Sequence, residues 1–132
     1  MKKLAAFIQV HTHAKFAKPV GEAVIQNQEA KLGLSFGPRY RAFLAEYGCL
    51  MHGPNEIYGI CGSNNAVPSA IHATFSARKD QNFPKSLVVI AEDGRGKFIC
   101  IDSQDQVFSV ERGTTSLLNQ SFEDFAIGWL AS

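Results

Sequence analysis

The chain has 132 residues, enough for one domain with its own core and too few for two. Its 45% hydrophobic content excludes a disordered chain, and thirteen basic against twelve acidic residues leave +1, too little to draw it to nucleic acid or anionic lipid. No apolar run reaches the ~18 to 20 residues of a membrane span.

The opening Met1-Lys2-Lys3-Leu4-Ala5-Ala6-Phe7-Ile8 has the flank of an export signal. The apolar stretch stops at Gln9, and His11 and His13 follow, so no export is expected. Residues 1–21 read as an N-terminal extension of a single domain spanning 1–132.

Glu22 to Leu32 reads as a helix with Gly33 as its C-terminal cap. Its apolar stripe is thin (Val24, Ile25, Leu32), and Glu29 reads as solvated. Pro38 to Tyr47 is a second helix, with proline in its first turn and Tyr40, Phe43, Leu44 and Tyr47 on one face. Gly48 ends it. Among the breakers Gly48, Gly53, Pro54, Gly59 and Gly62, Glu56 to Ile60 reads as a short strand. Pro68 to Lys79 reads as a third helix with Ile71 and Phe75 inward.

Residues 87 to 110 carry the strongest β signal. Leu87 to Ala91 is a strand buried on both faces, Asp93-Gly94-Arg95-Gly96 a tight turn, and Lys97 to Asp102 a second strand. Ser103 to Gln106 turns again into Val107 to Val110. Connections this short make the sheet an antiparallel meander. Ser121 caps a last helix whose first turn holds Glu123 and Asp124 and whose apolar face is Phe122, Phe125, Trp129 and Leu130. The class is α+β: an antiparallel meander flanked by helices.

Catalytic signatures are missing. No GxGxxG, no GxxxxGK[ST] and no HExxH occurs. Ser63 follows Gly62 without a GxSxG elbow. His11 and His13 share a face if extended, but no carboxylate or cysteine stands beside them, so no metal is expected. Cys49 and His52 are too close in sequence to face each other readily. Asp93, Asp102 and Asp105 lack EF-hand spacing and read as turn residues bonding their own backbone. Arg39 and Arg41 do not share a helix face, and Lys31, Arg39, Arg95 and Lys97 make a basic patch only if the fold brings them together. The cysteines Cys49, Cys61 and Cys100 are odd in number and lack a CxxC, which fits reduced thiols, a cytoplasmic location and, for Cys100, a packed side chain. No cofactor is called for.

The order of these features resembles the SUKH superfamily, the Smi/Knr-like domains. Ile25, Glu29, Leu32 and Gly33 match its first helix; Pro38, Tyr40, Arg41, Phe43, Leu44, Tyr47 and Gly48 match its proline-led helix. Ile57-Tyr58-Gly59 matches its next strand. Val89-Ile90-Ala91, Asp93-Gly94, Gly96 and Asp102 match its hairpin, and Ser121-Phe122 with Phe125 match its last helix. The resemblance covers roughly residues 22–131. Three positions depart from the pattern: Gly37 stands where leucine is common, Gly48-Cys49-Leu50 replaces an Asn-Gly-Gly turn, and Lys97 replaces an acid.

The resemblance implies a SUKH-like binding module and not an enzyme. It implies an immunity protein that neutralises a cognate polymorphic toxin, nuclease or deaminase, by direct contact, as in contact-dependent inhibition. The toxin gene is expected nearby. The alternative is a scaffold or regulatory domain of the Smi/Knr-like type. Aromatics and arginines anchor such interfaces, so Arg39, Tyr58, Arg95 and Lys97 are the candidate partner-binding residues, with core packing weighed equally for Tyr58. No direct contact with nucleic acid or membrane is expected, and the domain is expected to be a monomer or weak homodimer.

Overall fold

The computed structural model describes residues 1–62 and 68–132. The element order is α1 (Lys2–Val10), β1 (Lys15–Phe16), α2 (Glu22–Leu32), α3 (Pro38–Tyr47), β2 (Leu50–His52), β3 (Asn55–Ile57), α4 (Ala70–Ala77), β4 (Val88–Glu92), β5 (Lys97–Ile101), β6 (Val107–Glu111), β7 (Thr114–Leu117) and α5 (Phe122–Ala131). Two antiparallel sheets result, one of three strands in the order β1-β2-β3 and one of four in the order β4-β5-β6-β7. The class is α+β, and one hydrophobic core runs through both sheets and all five helices. Among the described residues no helix is long and apolar enough to cross a membrane.

The meander β4-β5-β6 stands where the alternation placed it, with β4 buried on both faces from Val88 to Ala91. The sheet is wider than the sequence reading by β7, joined to β6 through the Arg112–Gly113 turn. β4 bulges between Val89 and Ala91. The Val89 amide donates to Thr74 Oγ1 on α4 at 3.0 Å, and the Ile90 carbonyl accepts the Tyr58 amide at 2.7 Å. The bulge thus ties one sheet to a helix and to the segment leaving the other sheet.

An aromatic cluster fastens the helices. The Tyr40 ring lies 5.3 Å from Phe36 and 5.6 Å from Phe122, both edge-on, and Phe43 meets Phe122 edge-on at 5.3 Å. Such contacts each add about 1 kcal/mol beyond area burial. The buried Tyr40 hydroxyl donates to the Tyr58 carbonyl at 2.8 Å, and burial raises its pKa.

Residues 1–21 are built into this core. Leu4 and Phe7 of α1 are buried, and β1 pairs with β2. Lys2 and Lys3 oppose the helix dipole at the start of α1. Its N-terminus is rescued from a distance: Glu123 of α5, itself buried, accepts the Leu4 amide at 2.9 Å, and Lys3 pairs with Asp124 at 3.2 Å.

On the helices, three expectations about side-chain burial change. On α2, Val24 is exposed and Gln28 is buried in its place beside Ile25 and Leu32. On α4, Ile71 is buried but Phe75 points outward. Glu29 is not solvated: it accepts the Phe36 amide at 2.7 Å and pairs with Arg41 at 3.2 Å, and Arg41 also holds Glu22 at 2.6 Å.

Two glycines mark a backbone crossing. Gly48 has φ +74°, and its carbonyl accepts the Ile60 amide at 2.8 Å. A Cβ on Gly59 would fall on that same carbonyl oxygen, and one on Gly48 would stand 2.6 Å from the Ile60 oxygen. Neither position has room for a side chain.

Candidate protein-binding surface

Two ends of the four-stranded sheet hold the candidate residues, and they hold them apart. Arg39 lies at the start of α3, beside the β5–β6 turn. Arg95 and Lys97 lie at the β4–β5 turn, at the far end of β5. Five strand residues separate the ends by about 16 Å, so the basic residues do not form one patch.

The Arg39 end is organised by Asp105. Gly37 is the N-cap of α3 and has no side chain to offer, while Pro38 has no amide to satisfy. Asp105 supplies the missing acceptor from the β5–β6 turn. Its Oδ2 takes the Arg39 amide at 2.9 Å and its Oδ1 the Tyr40 amide at 3.0 Å. These are the donors an N-cap side chain normally satisfies. A Cβ on Gly37 would collide with this carboxylate, with Oδ2 only 2.7 Å away. Gly37 therefore makes room for the cap. Asp105 is not a self-bonding turn residue; Asp93 and Asp102 are. Asp102 Oδ1 accepts the Gln104 and Gln106 amides, both at 2.9 Å.

At the other end Asp93 Oδ1 accepts the Arg95 amide at 2.7 Å and the Lys97 amide at 3.1 Å. These bonds, led by the one from Arg95, lower the pKa of its carboxyl. The turn is thus pinned while the Arg95 side chain stays free in solvent. Lys97 stands opposite Glu111 in the β5–β6 register, which brings in Arg112 of the next turn. Between these turns and the segment after α4 lies a cavity of about 230 Å³. Phe83, Phe98 and Val110 line it, with the Phe83 and Phe98 rings edge-on at 6.0 Å. Gly96, Arg112 and Asp80 stand around it.

Beside this cavity, Arg78 lines an adjoining hollow with Asp80, Phe83 and Lys85. Phe75 is 45% exposed, and the Arg78 guanidinium lies 5.8 Å from its ring centre. Arg78 Nη2 donates to the Lys85 carbonyl at 2.9 Å, and burial lowers its pKa. The sequence reading missed this pair because Phe75 at i+4 from Ile71 matches a core spacing. The exposed Phe and the neighbouring Arg are the residue types that anchor protein contacts.

Tyr58 is placed differently. It is 7% exposed, and its amide and carbonyl are both bonded in the core, so it has little surface to give a partner. Burial, then Glu92 and Glu56, raise the pKa of its hydroxyl.

The other sequence candidates resolve one by one. His11 is the C-cap of α1, not part of a strand; its Nδ1 bonds the Phe7 carbonyl at 2.9 Å. Its ring stacks on Phe7 at 3.9 Å and meets His52 edge-on at 5.1 Å. His52 Nδ1 bonds the Leu130 carbonyl at 2.8 Å. Cys49 is buried beside Cys61, and burial followed by that thiol pushes its pKa up to about 12, which suppresses thiolate chemistry. Cys100 is buried, and burial raises its pKa too. Ser63 lies outside the described residues. Among the described residues no group of three or more His, Cys, Asp or Glu can hold a metal ion.

Comparison with protein families matches residues 2–130 to the SUKH_5 model, described as SMI1-KNR4 cell-wall. The chain belongs to the SUKH_5 family. Comparison with curated proteins gives no match. Among solved structures, this SUKH_5 domain is similar to the crystal structure of a protein from Pseudomonas syringae pv. tomato. The two share a TM-score of 0.73 and 17% identity over 97% of this chain and 99% of that one. That likeness establishes a shared fold.

Proposed function

We propose that this SUKH_5 domain is an immunity protein that binds and neutralises a cognate polymorphic toxin, of nuclease or deaminase type, by direct contact. The contact surface runs from Phe75 and Arg78 over the Phe83–Phe98 cavity to Arg95, Lys97 and Arg112. The observation that carries this reading is the exposed Phe75 under the Arg78 guanidinium, Arg78 in turn lining a hollow with Phe83. The rim interleaves these cations with Asp80, Asp93 and Glu111. An apolar centre with a rim of mixed charge suits a protein partner and not a phosphate backbone. Arg39 offers a separate contact at the other end of the sheet.

Co-expression with the toxin encoded beside this gene tests the reading. The wild-type domain is expected to restore growth. A Phe75→Ala, Arg95→Glu, Lys97→Glu variant is expected to lose rescue by about a hundredfold in surviving cells, because interface anchors each carry ~1 to 2 kcal/mol or more. All three side chains are at least partly exposed, so its unfolding midpoint is expected to stay near wild type. Rescue undiminished by the triple variant would move the surface elsewhere. Failure to rescue from any neighbouring toxin would favour a second reading, a regulatory or scaffold domain, for which the cell-wall wording of the family description speaks.

A further inference from the structure

Among the described residues the outer edge of β7 is open, and the turn before it fixes its hydrogen-bonding parity. The Arg112–Gly113 turn sets Glu111 directly opposite Thr114, and the Leu118 amide donates to the Val107 carbonyl at 2.9 Å. Bonded and non-bonded pairs alternate along an antiparallel ladder. Thr114, Ser116 and Leu118 therefore turn their backbone groups toward β6. Thr115 and Leu117 turn theirs outward. All four residues of β7 are exposed, Leu117 at 46%. The strand has no charge, no proline and no register shift against β6, which are common devices for keeping edges apart.

We propose that this edge pairs with the same edge of a second copy of the chain, antiparallel about a two-fold axis at Ser116. The two four-stranded sheets then become one continuous sheet. Thr115 stands opposite Leu117 of the second copy, and Leu117 opposite its Thr115. Each such pair exchanges two bonds, so every outward amide and carbonyl of the strand is satisfied on both chains. The neighbouring registers recruit Gly113 or Asn119 in place of an extended residue. Those two have φ of +79° and +53°, which point their backbone groups out of line. Only the register centred on Ser116 uses two extended residues from each copy. It also opposes Arg112 to Gln120, so no like charges meet. Two four-residue strands bury less area than a standing dimer needs, so the association is weak and concentration-dependent. The inference is independent of any toxin.

Cross-linking and sedimentation test it. Across the axis the two Ser116 form a non-hydrogen-bonded pair about 4.5 Å apart at Cα, inside the disulfide range. In a Cys61→Ser background, Ser116→Cys in a glutathione redox buffer is expected to give disulfide dimer about tenfold faster than Thr114→Cys, which is exposed on the same face. The weight-average mass of the wild type is expected to rise from 14.4 kDa toward twice that value as concentration increases from about 10 µM to about 1 mM. Thr115→Pro deletes one outward amide and no β6–β7 bond. It is expected to stay at 14.4 kDa with an unchanged circular dichroism spectrum. Equal cross-linking of the two cysteine variants, a constant wild-type mass, or a mass rise that Thr115→Pro leaves intact would each overturn the proposal. So would a foreign extended segment occupying the edge while the chain itself stays monomeric.

Discussion

Asp93 and Asp105 both stand in hairpin turns of the same sheet, one at each end of β5, and they act on different parts of the molecule. Asp93 holds the amides of its own turn. Asp105 reaches out of its turn to cap α3, which is more than sixty residues away in sequence. The Asp105 end is therefore joined to the helical layer, its carboxylate accepting two α3 amides. The Asp93 end is rigid within itself and leaves Arg95 free. A turn that satisfies its own amides can present side chains outward, whereas one that caps a distant helix belongs to the packing.

The sharpest way to break the contrast is Gly37→Leu. The leucine displaces the Asp105 carboxylate, so the cap is lost and a close-packed site is overfilled. The expected cost is about 3 kcal/mol in urea unfolding. Asp105→Ala alone is expected to cost about 1 to 2 kcal/mol. Combined, the two cost less than their sum, because they remove the same pair of bonds. Additive costs would show that Gly37 and Asp105 are not coupled.

Asp93→Ala is expected to move the Arg95 and Lys97 amide resonances and to lower the urea midpoint by less than Asp105→Ala does. The same turn has a pH signature. The Asp93 carboxyl is held below its usual 3.8, so the stabilisation it gives is present above the unfolded value and lost as pH falls through the lower folded one. Amide shifts of Arg95 and Lys97 are expected to titrate together, with a midpoint below 3.8. A midpoint at or above that value would show that the turn is not pinned by the carboxylate.

Much of this was legible in the sequence, and the losses have physical causes. α2, α3 and α5 could be read because periodicity, a proline start, glycine ends and a Ser121 cap are local signals. α4 was legible as a helix, but its facing was not: Phe75 sits at a core spacing and still points outward. α1 does not appear in the sequence reading, where residues 1–8 stand only as the flank of an export signal; the acceptor that steadies its N-terminus, Glu123, is 119 residues away. β1, β2 and β3 span only two or three residues, and β7 is Thr-Thr-Ser-Leu without alternation. The roles of Glu29 and Asp105 are contacts between elements, which no local pattern encodes. Among the site residues, Arg95 and Lys97 were visible as turn cations. Arg112 joins them only because β5 and β6 pair in register.

The crossing at Gly48 and Gly59 has a consequence for how such a chain can vary through evolution. Gly48 occupies the volume into which a side chain at position 59 would grow, the Ile60 and Lys18 carbonyl oxygens occupy the volume at position 48, and these are main-chain atoms that no rotamer change can move aside. A first substitution at either position meets a collision that a second one elsewhere cannot relieve. Change in such a sequence is therefore expected to go around these two points, where the backbone leaves room for hydrogen alone.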